Sequence, residues 1–264
     1  MDEQKNGIRA YALDAGADDV GFVAAADYRS ARSPALSAVF PGTESLVVLA
    51  VRGRAGCESP SPQLAMNGRL DLMEFSRSVN YKVGRFLERE LGARASTVPL
   101  SYPLDMGGTG KGTLGDVSLR HAAVGAGLGA FGQHNLVVHP RFGSRVLFTA
   151  VLTDLVLPSD SVLTENPCTA CGACLAACPA RALEEGKTDV MKCLGSSQPY
   201  GLGASVRFWT EFGAGGREER KRMLRDPDYW RLYQAGFIGF QYFCFRCLES
   251  CPVGQRQGVG RPGQ

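Results

Sequence analysis

The hydrophobic positions divide the chain into a patterned first part and a second part without that pattern. Ile8, Tyr11, Ala12 and Ala15 fall at helical spacing, Gly16 supplies a stop, and Val20–Ala24 follows as a short apolar run. This predicts a helix and then a strand. Pro34–Pro41 reads as a connection. Ser45–Val51 (SLVVLAV) is continuously apolar, the pattern of a strand buried on both faces. Gly53–Gln63 is polar, carries prolines at 60 and 62, and reads as a loop. Leu72, Phe75, Val79, Val83 and Leu87 predict a long helix over 70–91, closed by Gly92. A strand is expected at Thr97–Leu100, a glycine-rich loop at Met106–Gly115 and a short helix at Val117–Ala126. Strands at Asn135–Val138 and Val146–Val156 are joined around HPRFGS. Strands and helices alternate to about residue 157, the order of an α/β or α+β domain. Pro158 marks a break.

Beyond residue 167 the apolar periodicity gives way to cysteines. The division expected is a first domain over 1–160, a second over 161–254, and a disordered tail over 255–264, which lacks core-forming residues. Gly216–Asp226 (GREERKRMLRD) reads as a solvated helical face. Between Cys193 and Cys244 the chain is rich in aromatics, from Tyr200, Phe208 and Trp209 to Tyr242 and Phe243. Most of these are expected in the core, with some packing over a bound group or capping a cavity.

Composition narrows the function classes. The 264 residues are 44% hydrophobic and 21% charged, which describes a soluble globular chain. A net charge of +3 is too small to argue for nucleic acid. The longest apolar run, Val146–Leu157, is 12 residues and contains Asp154, well short of the ~20 of a membrane span. The opening MDEQKNGIRA lacks the apolar stretch of a signal peptide, so a cytoplasmic protein is expected. In that compartment clustered cysteines favour metal over disulfides.

Eight of the nine cysteines follow residue 167. Cys168-x2-Cys171-x2-Cys174-x3-Cys178-Pro179 is the bacterial ferredoxin run for a [4Fe–4S] cluster. Three cysteines in a tight loop aim their thiolates at one cube, while the fourth, beside proline, points elsewhere. Cys244-x2-Cys247-x3-Cys251-Pro252 repeats the end of that pattern with one member missing, and Cys193 completes the set. The arithmetic closes at two cubes: Cys168, Cys171, Cys174 and Cys251 on one, Cys178, Cys193, Cys244 and Cys247 on the other. Zinc would need two C-x2-C pairs, and the first run has one cysteine too many. Cys57 is left over as an inert thiol.

Two glycine-rich segments mimic nucleotide motifs. Gly127-Leu-Gly129-Ala-Phe-Gly132 satisfies G-x-G-x-x-G, but a helix precedes it and a strand follows, the reverse of the dinucleotide-binding context. GTGKGT around Lys111 lacks the Ser or Thr of a P-loop, having Gly112 there. Both segments leave backbone with little side-chain cover, able to approach a large ligand.

The stretch Ser118–Pro158, above all AGLGAFGQHNL, together with the cysteine framework, resembles the epoxyqueuosine reductase and reductive dehalogenase superfamily. It is most similar to the short epoxyqueuosine reductase-like members. The resemblance implies an α+β fold, with a nitroreductase-like α/β domain carrying cobalamin followed by a ferredoxin-like domain with two [4Fe–4S] clusters. By motif match, Gly127, Gly129, Gly132, Gln133, His134 and Asn135 would line the corrin. The family's catalytic acid falls near Thr113, so Asp116 is the expected proton donor, with Tyr102 and Lys111 as alternatives. The implied activity is reduction of a small organic substrate by cobalamin, fed through the clusters by a ferredoxin- or flavodoxin-type donor. Full epoxyqueuosine reductases carry a helical-repeat extension for tRNA, whereas this chain ends 13 residues after Cys251, so a tRNA substrate is not expected. A homodimer is compatible with nitroreductase-like folds. The alternatives are a corrin-free electron-transfer protein serving a partner or a corrinoid protein, and a flavin reductase.

Overall fold

The computed structural model describes residues 2–100 and 115–255. Tyr102, Lys111 and nearly all of the tail expected to be disordered lie outside the described residues. Helix α1 (Asp2–Asp14) leads through Gly16, at φ 115°, into β1 (Asp19–Ala24). The expected connection contains one helical turn, α2 (Leu36–Val39), and β2 (Ser45–Arg52) follows. Helix α3 spans Pro62–Leu91, eight residues longer at its start than the apolar spacing predicts. The prolines read as loop signals instead begin the helix. The Ser61 side chain accepts the Leu64 N–H, and Pro62 takes the first position, where no N–H is needed. Gly92 ends it in the left-handed conformation, φ 62°.

Strand β3 (Ala95–Thr97) lies slightly earlier than expected; α4 (Leu119–Gly125), β4 (Ala130–Phe131), β5 (Val137–Val138) and β6 (Val146–Thr153) complete the first part. The main sheet has the order β1-β2-β6-β3 with every pair antiparallel; Val48 stands opposite both Gly21 and Ala150. Strand β2 is central, and its side chains alternate between two cores. Leu46, Val48 and Ala50 pack with Ala122 and Ala123 of α4. Val47 and Leu49 pack with Ile8 and Ala12 of α1 and with Val79, Val83 and Leu87 of α3. Helices therefore cover both faces, which is why the strand shows no polar alternation. Each fully buried Val or Leu contributes about 1.5–3 kcal/mol. Phe75 departs from the expected core stripe. It is 47% exposed and lies over Gly16.

The second part is held by short elements: α5 (Ala173–Ala176), β7 (Leu183–Glu184), β8 (Lys187–Thr188), α6 (Val190–Ser197), α7 (Leu202–Ala214), α8 (Arg217–Arg225), α9 (Pro227–Tyr233) and α10 (Arg246–Glu249). The α5 and α10 turns pack together. The aromatics of α7 to α9 are not core residues. Trp209, Trp230 and, just after α9, Phe237 are 53%, 54% and 80% exposed and pack on their own neighbours, Trp209 edge-on to Phe212 and Phe237 stacked on Tyr233. The end of the first part is fastened back on α1 and β1 at Asp160, whose carboxylate accepts from Lys5 Nζ (2.6 Å), Arg9 Nη2 (2.9 Å) and the Phe22 N–H (3.1 Å). No described helix is long and apolar enough to cross a membrane.

Candidate metal centre

The cysteines separate into two groups, and the last cysteine of each sequence run joins the other run's group. Cys168, Cys171, Cys174 and Cys251 line one pocket together with Gln133, His134 and Val138. Cys174, in the first turn of α5, and Cys251, just after α10, are buried there, where the two turns pack together. Burial pushes the Cys174 thiol up, and the nearby Cys168 and Cys171 sulfurs push the same way. In the second group burial pushes Cys247 up to about 12, reinforced by the sulfurs of Cys244, Cys193 and Cys178 and, least, by Cys174 of the first group. Burial also raises Cys193, whose neighbours are again Cys178 and Cys244. The Ala182 N–H donates to Cys178 Sγ at 3.3 Å.

A set of four thiols is a metal donor set, since a bound metal offsets the cost of deprotonating them. Among the described residues, no three His, Cys, Asp or Glu side chains converge closely enough to hold a single ion. A [4Fe–4S] centre takes four cysteine thiolates spread over its irons, and each set supplies four thiols.

Two turns of the first part build the cradle of the first group. In the turn after β4, Gln133 Oε1 accepts the Gly172 N–H at 3.1 Å, and Asn166 Nδ2 donates to the Phe131 carbonyl at 3.0 Å. These bonds tie the Cys168–Cys174 loop to the sheet side. The turn between β5 and β6 holds the Cys251 segment. Arg145 donates to the carbonyls of Glu249 (2.7 Å), Cys251 (2.8 Å) and Val253 (3.2 Å), while its Nε pairs with Glu58 at 2.7 Å. Gly143 (φ 60°) and Gly254 (φ 69°) let the two backbones touch. A side chain at Gly143 would strike the Val253 backbone, and one at Gly254 would strike Phe142 and Gly143. Arg69, from α3, lies 3.1 Å over the Phe245 ring and 3.6 Å from Glu249, within the field of Cys247. Sequence reasoning did not single out Arg145, Arg69 or Asp160. The one signal available was the density of glycine and arginine around HPRFGSR.

The residues matched to a corrin run from the end of α4 through the turn after β4. A methyl group at Gly127 would collide with the Ser161 carbonyl. At Gly129 it would stand 2.6 Å from the Val138 oxygen, and at Gly132 2.8 Å from Val138 Cγ2. The spaces these glycines leave are filled by the chain itself. Gln133 and His134 face the cysteine pocket. Asn135 takes a left-handed φ of 58° and uses its carbonyl to accept from Arg120 at 2.7 Å. Asp116 is exposed on the bend before α4. That bend is tied by the Ser118 N–H to Tyr28 Oη (2.8 Å), and Tyr28 lines a separate cavity of about 300 Å³ with Ser30, Ser33 and Thr43. Cys57 is buried, and burial raises its thiol.

No family model matches the chain. Over 76 residues, 28% of this chain, it is 40% identical to the epoxyqueuosine reductase of Aliivibrio fischeri, of which that segment spans 20%. In fold it is similar to an epoxyqueuosine reductase solved with an epoxyqueuosine-modified tRNA-Tyr stem loop. The TM-score is 0.57 at 19% identity, covering 96% of this chain and 65% of that one. A reductive dehalogenase whose structure suggests a mechanism for B12-dependent dehalogenation matches with TM-score 0.62 at 17% identity, over 96% of this chain and 32% of that one. The chain thus has the fold of epoxyqueuosine reductases and reductive dehalogenases, the superfamily its motifs resemble, and shares a stretch of sequence with the former.

Proposed function

We propose that this chain is an iron–sulfur reductase in which eight cysteines hold two [4Fe–4S] clusters, in the sets 168/171/174/251 and 178/193/244/247. The observation that carries the reading is the meeting of Cys251 with Cys168, Cys171 and Cys174 in one pocket. When bound, such clusters carry single electrons at low potential, here from a ferredoxin- or flavodoxin-type donor to an acceptor on the first domain. The chain's own residues set the direction. Gln133, His134 and Val138 bring the first set against the sheet domain, so that set is the end at which electrons leave. Arg145 holds the Cys251 segment there.

The family resemblance names cobalamin as the acceptor and a small organic molecule as substrate. The packing of Gly127, Gly129 and Gly132 against the chain favours a second reading, a corrin-free carrier that delivers electrons to a partner or a corrinoid protein. Anaerobic purification after reconstitution with iron, sulfide and cobalamin separates them. One retained cobalt per chain with a base-off Co(II) signal supports the cobalamin reductase. Clusters without retained cobalt support the carrier. A retained cobalt makes reduction of a free small molecule, and then of an epoxyqueuosine-bearing tRNA stem loop like the one in the structural neighbour, the assays to run.

A further inference from the structure

The turn after β4 contributes more than a fastening to the first cysteine group. His134 is 4% exposed and lines the same pocket as Cys168, Cys171, Cys174 and Cys251. Its Nδ1 accepts the Leu136 N–H at 3.2 Å, which in the neutral ring leaves the proton on Nε2. Gly132 makes room for the ring: a methyl group there would stand 3.0 Å from His134 Cε1. Gln133, the adjacent residue, grips Gly172 between Cys171 and Cys174. One turn therefore both fixes the cysteine loop and places a buried donor beside it.

We propose that His134 is a positioning residue that donates its Nε2–H into the sulfur shell of the cluster held by Cys168, Cys171, Cys174 and Cys251. This rests on the two-cluster reading above. A hydrogen bond to sulfur stabilises the more negative, reduced cluster and raises its potential. It also lowers the energy of an electron held on this cluster, next to the first domain.

The test is an EPR-monitored redox titration of the reconstituted full chain and of His134→Leu and His134→Gln. Without the donor, the reduction equilibrium of the first cluster should fall about tenfold, about 59 mV for one electron. The second cluster should not move, and Gln should restore most of the shift. Equal potentials in all three proteins would overturn the proposal. Pulsed EPR of wild-type protein carrying ¹⁵N-histidine keeps the test independent of how the variants fold. A weak nitrogen coupling to the reduced first cluster is expected, and its absence overturns the proposal. Failure of the two-cluster reading is distinguishable, because the wild-type chain would then bind no [4Fe–4S] centre to titrate.

Discussion

At the scale of single residues, two side-chain positions separate packing from chemistry. Gly129 abuts Val137 and the Val138 carbonyl. If its role is packing, Gly129→Ala should cost about 1–3 kcal/mol in the metal-free chain, read as a lower urea midpoint. A glycine kept only for ligand approach would leave that midpoint unchanged. Asp19 is the other. Burial by itself would raise its carboxyl, but the donors of His139 (3.1 Å) and Arg141 (2.7 Å), with the Val20 N–H, hold it at about 2. Its unfolded value is ~3.9. The stability it contributes is therefore complete above about pH 4 and lost as pH falls through about 2. Asp19→Asn should flatten the acid limb of stability in that window, measured by denaturation from pH 5 downward. An unchanged slope would show that Asp19 contributes nothing to it.

At the scale of elements, the periodic segments were legible and the non-local contacts were not. β2 could be read because its apolar run is explained by helices on both faces. The start of α3 could not, because Pro62 signals a loop until Ser61 is seen to cap it. The eight cysteines stood out by their spacing, and the fold brings Cys251 into one pocket with Cys168, Cys171 and Cys174. The glycines of AGLGAFG were read as ligand approach, yet their neighbours, Ser161 and Val138, are brought there only by the tertiary fold. Arg145 was invisible for the same reason, since it caps carbonyls as far as Val253, 108 residues away. Arg145→Met would leave those carbonyls and Glu58 without their donor. A loss of about 2–3 kcal/mol is expected, with iron lost from the Cys251 set before the other. Even loss from both sets would show that Arg145 supports the fold generally rather than this segment.

At the scale of the whole molecule, an antiparallel sheet domain presents two turns to a cysteine-rich part that has little core of its own. The two parts meet at Gln133, at Arg145 and around the first cysteine pocket. The central claim is that the last cysteine of each run serves the opposite cluster. It is tested most directly by iron and sulfide content, with EPR, in the reconstituted wild-type chain and in Cys251→Ala and Cys178→Ala. The wild type should hold about eight irons. Each variant should keep one intact [4Fe–4S] signal, a different one in each case. The same surviving signal in both variants, or zinc in place of iron in the wild type, would contradict the account.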